Sequence, residues 1–410
     1  MATTTAPRPA DVLRAPGMAR TYGSSLIARL PMGAHGLVLL LFVHQLTGSY
    51  ALGGAASGAF ALALALSSPP LGRLIDAFGQ TWILVPLAVA QAALHVALAA
   101  AARGTPAALL LAGAVAIGLC MPPMSAAARA LWSELIDRTL LPSVYALEAA
   151  VLEAVYIVGP LLIVGAIGSV SLRLALVVNG TCVLVGTLWF AASRQSRSWR
   201  GSGPVRRHWA GPLAAGRVRV LLVAISLFGL AIGAMEIGVA AVTAAAGAPS
   251  AAGPVLAASG AGSLVGGLLA SRAAAPERPA RRLAWLLAAF ALLMLPWLVA
   301  PSPWWLGVAV FAASLPIAPA LATATALVGD WAPPGTVTEA FTWNGTSLTA
   351  GLAAGSAATG LLANSAPRAP FAIAVAAMAL AAVWTLQLCR PSQLQRGSAA
   401  PAGTTESFGE

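Results

Sequence analysis

Long apolar runs separated by short connections constrain this 410-residue chain more than any other feature. A helix needs about 20 mostly apolar residues to cross the hydrocarbon core of a bilayer, so a window of that length predicts membrane helices. Twelve windows result: 26–46, 51–71, 82–102, 107–128, 143–168, 171–192, 217–242, 250–270, 283–300, 304–326, 338–362 and 370–389. The pattern predicts an all-α integral membrane protein of twelve transmembrane helices with both termini on one side.

The composition agrees with a chain that lies mostly in lipid. Hydrophobic residues make up 59% of the sequence, charged residues make up 9%, and the mean hydropathy is +0.84. Soluble domains carry about 25% charged residues, so the lipid bilayer is the expected surrounding of most of this chain. The three cysteines lie within apolar runs and lack metal-ligand spacing, so we expect neither a metal site nor a disulfide.

The basic residues predict an orientation. All 23 are Arg, and only Arg103, Arg173 and Arg368 fall in the connections on one side of the predicted bundle. The positive-inside rule therefore places both termini and the remaining Arg in the cytoplasm, as in a multi-pass protein of the cell inner (plasma) membrane. The Arg residues are scattered singly rather than gathered on one face, which argues against a nucleic acid partner.

The longest internal connection predicts how the helices are grouped. Residues 193–216 are rich in Arg, Gly, Pro and Ser and divide the windows into six and six. We therefore predict a cytoplasmic tail at 1–25, a six-helix half at 26–192, a cytoplasmic linker at 193–216, a second half at 217–389 and a cytoplasmic tail at 390–410. Pro123 in predicted helix 4 matches Pro319 in predicted helix 10 within a short similar run, which favours two pseudo-symmetric halves.

One short stretch between predicted helices 2 and 3 carries a motif. Gly72, Leu74, Asp76 and Gly79 match four positions of the pattern G-x-L-x-D-R-x-G-R-R. This stretch resembles the loop between helices 2 and 3 of the major facilitator superfamily (MFS). The basic positions of the pattern differ, because Ala77, Gln80 and Thr81 stand where the family usually has Arg or Lys. The resemblance implies an MFS transporter of the efflux type, whose two halves rock around a midplane cavity lined by helices 1, 4, 7 and 10.

The resemblance also implies a gate at the cytoplasmic side. In the family, the acidic residue of this loop braces the outward-facing state by contacting the ends of helices 4 and 11, which here assigns that role to Asp76. Arg129 is the predicted cation for Asp76, because positions 77, 80 and 81 are neutral. We expect Glu148 and Glu339 in the first turns of helices 5 and 11, either as members of this cluster or as charges at helix N-termini. Gly72 and Gly79 are expected to form the tight turn.

Ionisable groups inside membrane helices are the candidates for substrate binding and energy coupling, because they are costly to bury there. Glu153 lies near the middle of predicted helix 5 and is a candidate for proton exchange or, alternatively, for a structural hydrogen bond. Glu236 lies between glycines in predicted helix 7, which fits either a cavity wall or tight packing. Arg29, Trp343 and Asn344 complete the candidates for substrate contact.

The sequence therefore predicts a secondary transporter that exports a small organic molecule in exchange for protons by alternating access. No Walker or hydrolase motif is present, so we expect neither an ATP-driven pump nor an enzyme. We also expect a monomer without a cofactor. Two alternatives stay open: a transport-inactive sensor or scaffold with this fold, which the neutral residues near Asp76 favour, and a transporter for solute uptake.

Overall fold

A computed structural model describes residues 17–137, 140–199, 209–272, 276–360, 362 and 365–389. All regular elements of these residues are helical, and we number the membrane helices α1–α12 in chain order. In the first half they are α1a Met18–Arg29, α1b His35–Thr47, α2 Tyr50–Phe78, α3 Gln80–Ala99, α4a Ala107–Leu119, α4b Met124–Leu135, α5 Leu141–Pro160 with a π-helical extension Leu161–Gly168, and α6 Leu172–Ala191.

The second half repeats this arrangement. Its helices are α7 Gly216–Ala245, α8 Ala252–Ser271, α9 Pro279–Met294 with a 3₁₀ extension Leu295–Val299, α10a Pro303–Ser314, α10b Ile317–Trp331, α11 Val337–Gly360, and α12 Ala369–Thr385 with a 3₁₀ extension Leu386–Cys389. Ten helical stretches of the described residues are long and apolar enough to cross a membrane. The broken α1 and the Thr-, Ser- and Gly-rich α11 complete the twelve helices.

Several boundaries differ from the predicted ones. The first helix begins at Met18, inside the range predicted as a tail, and Met18 is buried because this short, partly polar helix packs against α6 and α4b. The second helix continues through Gly72 to Phe78, so the turn before α3 is made by Gly79 alone. Gly79 has a φ of 91°, which favours glycine because it has no Cβ.

Three helices are interrupted at prolines, which remove a backbone hydrogen bond and clash with the preceding turn. The break in α1 follows Arg29 and contains Pro31, and the breaks in α4 and α10 contain Pro123 and Pro316. The breaks in α4 and α10 lie beside the stretch that is similar between the two halves, although Pro319, which matches Pro123, lies inside α10b. At the α1 break, the carbonyl of Leu30 lies so close to Gly159 of α5 that a side chain there would overlap it.

The two halves are held together at one end of the bundle. We call this the linker end, because it carries the short helix Arg194–Ser198 and the start of α7. The halves make contact through α2 with α11, α5 with α8 and α10b, and α4b with α11. One continuous apolar core includes the linker-end parts of α1a, α4b and α5 together with the second half, whereas the outer part of the first half forms a separate core. The bundle is therefore closed at the linker end.

Candidate functional site

A charged and hydrogen-bonded contact joins α2 to the first turn of α11 across the two halves. Both carboxylate oxygens of Asp76 accept backbone hydrogen bonds, from Thr338 N at 3.0 Å and from Glu339 N at 2.8 Å. The first N–H groups of a helix have no partner within the helix, and the helix dipole favours a negative charge there. Asp76, which is buried, therefore caps α11 from the other half of the protein.

A second tie between the same helices lies one turn away. Arg73 donates to both carboxylate oxygens of Glu339, from Nε at 3.0 Å and from Nη2 at 2.7 Å. Such a bidentate pair is stronger and more specific in geometry than a single contact. Gly72 allows this approach, because a Cβ at that position would crowd the backbone of Glu339 and the side chain of Thr342. We call Asp76, Arg73, Glu339 and the first turn of α11 the latch.

A buried ionic cluster lies within the first half, next to the latch. The Oε1 atom of Glu148 accepts hydrogen bonds from Arg29 Nη1 at 2.7 Å and from Arg129 Nε at 3.2 Å. Arg29 and Glu148 are almost completely buried, and the Arg29 guanidinium lies 5.9 Å from the ring centroid of Trp132. The cluster joins α1a, α4b and α5, so it fixes how these three helices pack, and α4b in turn contacts both α2 and α11.

These contacts correct three predictions. Arg129, the cation predicted for Asp76, donates to Glu148, and within the described part of the chain the latch receives its cation from Arg73. Glu148 lies two turns inside α5 rather than in its first turn, because that helix begins at Leu141. Arg29 is not free for the predicted substrate contact, since its guanidinium is held by Glu148 and Ser25 at the end of α1a. The predicted position of Glu339 in the first turn of α11 is confirmed.

Two polar residues outside the predicted gate also hold this end together. The positive-inside rule predicted only the side of the membrane for Arg73, although its position one helical turn before Asp76 places both residues on one face of α2. Gln80, one of the residues that replaces a basic position, donates to Ala127 O of α4b at 2.9 Å and accepts from Ser196 Oγ at 3.0 Å. An amide at this position thus ties α3 to α4b and to the linker.

The fold and the pattern of this site can be compared with known proteins. The sequence model of the family named Major Facilitator Superfamily matches residues 21–318 of this chain, which is well over half of its length. The chain belongs to the Major Facilitator Superfamily. Because this family and its structural neighbours are transporters, the MFS chain is a multi-pass membrane transport protein and not an enzyme.

Solved MFS structures share the whole fold at low sequence identity. A bacterial homologue of the iron transporter ferroportin, in an outward-facing state, aligns with a TM-score of 0.71 at 12% identity over 90% of this chain and 98% of that chain. The fucose:proton symporter FucP of E. coli aligns with a TM-score of 0.69 at 16% sequence identity, over 91% of this chain and 99% of that chain. The human organic anion transporter TETRAN aligns with a TM-score of 0.61 at 14% sequence identity, over 90% of this chain and 99% of that chain. These likenesses show the fold alone, and no curated protein matches significantly in sequence.

The remaining candidates occupy different parts of the MFS bundle. Glu236 is half-buried in α7, and the glycines near it pack closely, Gly233 against α11 and Gly238 against the ring of Phe371. Trp343 lines a cavity near the latch together with Arg73, and Asn344 beside it is buried. Glu153 lies in α5, but its side chain falls outside the described residues, so its predicted role stays a prediction.

Proposed function

We propose that this MFS protein is a secondary active transporter that exports a small organic molecule in exchange for protons by alternating access. The observation that carries the proposal is the latch, in which both ties across the two halves lie at the linker end. A transporter of this kind needs a closed end that can reopen. The latch is made of a few polar contacts at the ends of α2 and α11, so a rocking motion of the halves breaks it without unfolding a helix.

The latch argues against a transport-inactive scaffold. That alternative relied on the neutral residues beside Asp76, but Arg73 supplies a cation to the gate from within α2. A pair that spans two separately packed halves contributes to only one of two conformations, and thus biases an equilibrium between them. A scaffold with one conformation needs no such contact.

Energy coupling is assigned in this proposal to the acidic groups within the membrane helices. Glu153 of α5 and Glu236 of α7 lie one in each half, at levels away from the latch. A carboxyl group in a membrane helix is costly to bury as an anion, which favours exchange of a proton when the cavity changes its side of access. If a proton and the substrate compete for one cavity, each is carried in the opposite direction to the other, so the substrate is exchanged for protons. If proton and substrate bind together, the same residues of this chain give symport, and the structural neighbour FucP is a fucose:proton symporter.

The experiment that tests this function starts with a ligand-stabilisation screen and continues with the stabilising compounds in proteoliposomes. We expect a proton gradient to drive the compound out of the compartment that the protons enter, with proton flux that depends on the compound. Flux of proton and compound in the same direction would assign the protein to uptake. An absence of coupled flux for every stabilising compound would contradict transport.

We predict that Glu153→Gln abolishes gradient-driven accumulation, because the amide imitates a permanently protonated carboxyl group. Glu236→Gln serves as the matched variant in the other half, and we expect it to alter the apparent affinity by severalfold while accumulation persists. Transport assays at several pH values check both. Normal rate and pH dependence in Glu153→Gln would make that residue structural and move the coupling site to Glu236.

We predict that the linker end faces the cytoplasm. Single cysteines at the exposed positions Ser198, in the linker, and Ser365, at the opposite end, report the orientation. A membrane-impermeant maleimide added to intact cells should label Ser365→Cys at least about tenfold more than Ser198→Cys, because only one end faces the medium. The reverse pattern would invert the topology.

A further inference from the structure

We propose that the linker end carries a binding site for a phosphate-bearing anion, which an anionic lipid of the cytoplasmic leaflet supplies. The site is a cavity of about 620 Å³ between the two halves. Its lining comes from four parts of the chain: Arg73 of α2, Arg219 of α7, Trp343 of α11, and the linker residues Trp209, Ala210, Leu213 and Ala214. The inference rests on the proposed orientation of the linker end, and not on the substrate or on proton coupling.

The charge of the cavity selects an anion. Its charged lining residues are Arg73 and Arg219, one from each half. Arg219 is held in place because its Nη1 atom donates to the backbone carbonyl of Leu213 at 2.8 Å. Arg73 is held by Glu339 and keeps 46% of its side chain exposed. A guanidinium group donates paired hydrogen bonds to phosphate oxygens, so Arg73 and Arg219 are donors of the kind that a phosphate accepts.

The aromatic lining selects a ligand at the membrane surface. Trp209 is 83% exposed and stands at the rim, and Trp343 forms the wall on α11. Tryptophan is enriched where the headgroup region meets the acyl chains, since one part of the ring is apolar and the N–H is polar. Basic pockets between membrane helices on the cytoplasmic side bind the headgroups of anionic lipids. The volume fits a headgroup, and the exposed rim leaves room for the acyl chains outside it.

The position of the site couples it to the latch. A phosphate that contacts Arg73 and Arg219 together bridges the two halves, beside the pair of Arg73 with Glu339. Such a ligand binds the closed linker end better than the open one, because rocking separates the two Arg residues. By linkage, an anionic lipid therefore stabilises the conformation that is closed at this end.

The test compares two Arg residues on the same helix. Arg219→Gln removes one wall of the site, and Arg217→Gln is the matched control, because Arg217 stacks on Trp331 at 5.4 Å instead of lining the cavity. Binding is measured by native mass spectrometry of the full chain with phosphatidylglycerol, with phosphatidylcholine and with water-soluble glycerol phosphate. None of these readouts requires transport, so the outcome is separate from the test of the proposed function.

We expect phosphatidylglycerol to bind the wild type and Arg217→Gln alike, and to bind Arg219→Gln about tenfold more weakly, since one charge-assisted hydrogen bond is lost. Phosphatidylcholine should not distinguish the variants. If glycerol phosphate binds as well as the lipid and Arg219→Gln weakens both equally, the cavity is an anion site for a soluble ligand, and the assignment to a lipid is wrong. Equal lipid binding by the two variants, or equal binding of both lipids to the wild type, would overturn the proposal.

Discussion

Asp76→Asn should open the linker end and reduce transport severely. The carboxylate of Asp76 accepts two hydrogen bonds from the start of α11, and an amide has only one accepting oxygen and no charge. A hydrogen bond to a charged group contributes about 1 kcal/mol more than a neutral one, so the substitution costs about 1–3 kcal/mol of the closed conformation. The ratio of closed to open protein should then fall by about 5- to 150-fold.

The measurement is a distance between the two halves at the linker end. Spin labels at Leu135, near the end of α4b, and at Leu386, after α12, are exposed and lie one in each half. We expect the distance distribution of Asp76→Asn to move toward longer values. Glu277→Gln is the control, because it removes an exposed carboxylate at the same end of the bundle. An unchanged distribution in Asp76→Asn would contradict the latch.

The second tie of the latch allows a charge exchange. Arg73→Glu should impair transport, because it places a carboxylate against Glu339. The double variant Arg73→Glu with Glu339→Arg restores opposite charges and should recover part of the activity. By contrast, Asp76→Arg with Arg129→Asp should recover none, because a guanidinium at position 76 would face the N–H groups of α11. Recovery in that second pair would show that the charge of Asp76 acts through Arg129.

The sequence was sufficient for the helical fold because the length of an apolar run is a one-dimensional signal. The twelve windows lie within a few residues of the helices, except where a helix continues past the apolar run, as α1a and the end of α2 do. Those extensions are partly polar, and a hydropathy window excludes them although they pack inside the protein. Met18 and Asp76 are both buried in such extensions.

The site was less predictable, since its partners are distant in sequence. The motif and the helix ends predict Asp76 and Glu339 as members of one gate, but their partners follow from how the two halves dock. The bond from Thr338 N to Asp76 joins a backbone group to a side chain, which no pattern of residue types reveals. Likewise, Glu148 takes Arg29 as a partner because α1 breaks at Pro31 and brings the end of α1a beside α5.

Glu148→Ala should destabilise the protein more than any other single substitution in the buried cluster. Glu148 is the carboxylate between Arg29 and Arg129, and Arg29 keeps only 2% of its side chain exposed. Removal of one partner of a buried ion pair leaves an uncompensated charge and typically costs about 3–5 kcal/mol. Thermal unfolding in detergent should show a large decrease in the melting temperature, with loss of the monodisperse peak in size-exclusion chromatography.

The order of stability among the variants tests whether the uncompensated charge of Arg29 causes the loss of stability. Arg29→Met should cost less than Glu148→Ala, because Glu148 keeps Arg129 as a partner at 3.2 Å. The double variant Arg29→Met with Glu148→Met should be more stable than Glu148→Ala alone, since apolar side chains of similar size replace the buried pair without leaving Arg29 charged. Arg20→Gln, an exposed position on the same α1a helix, should change the stability by less than about 0.5 kcal/mol. If the double variant were the least stable of all, the cluster would contribute net stability rather than specify how α1a, α4b and α5 pack against one another.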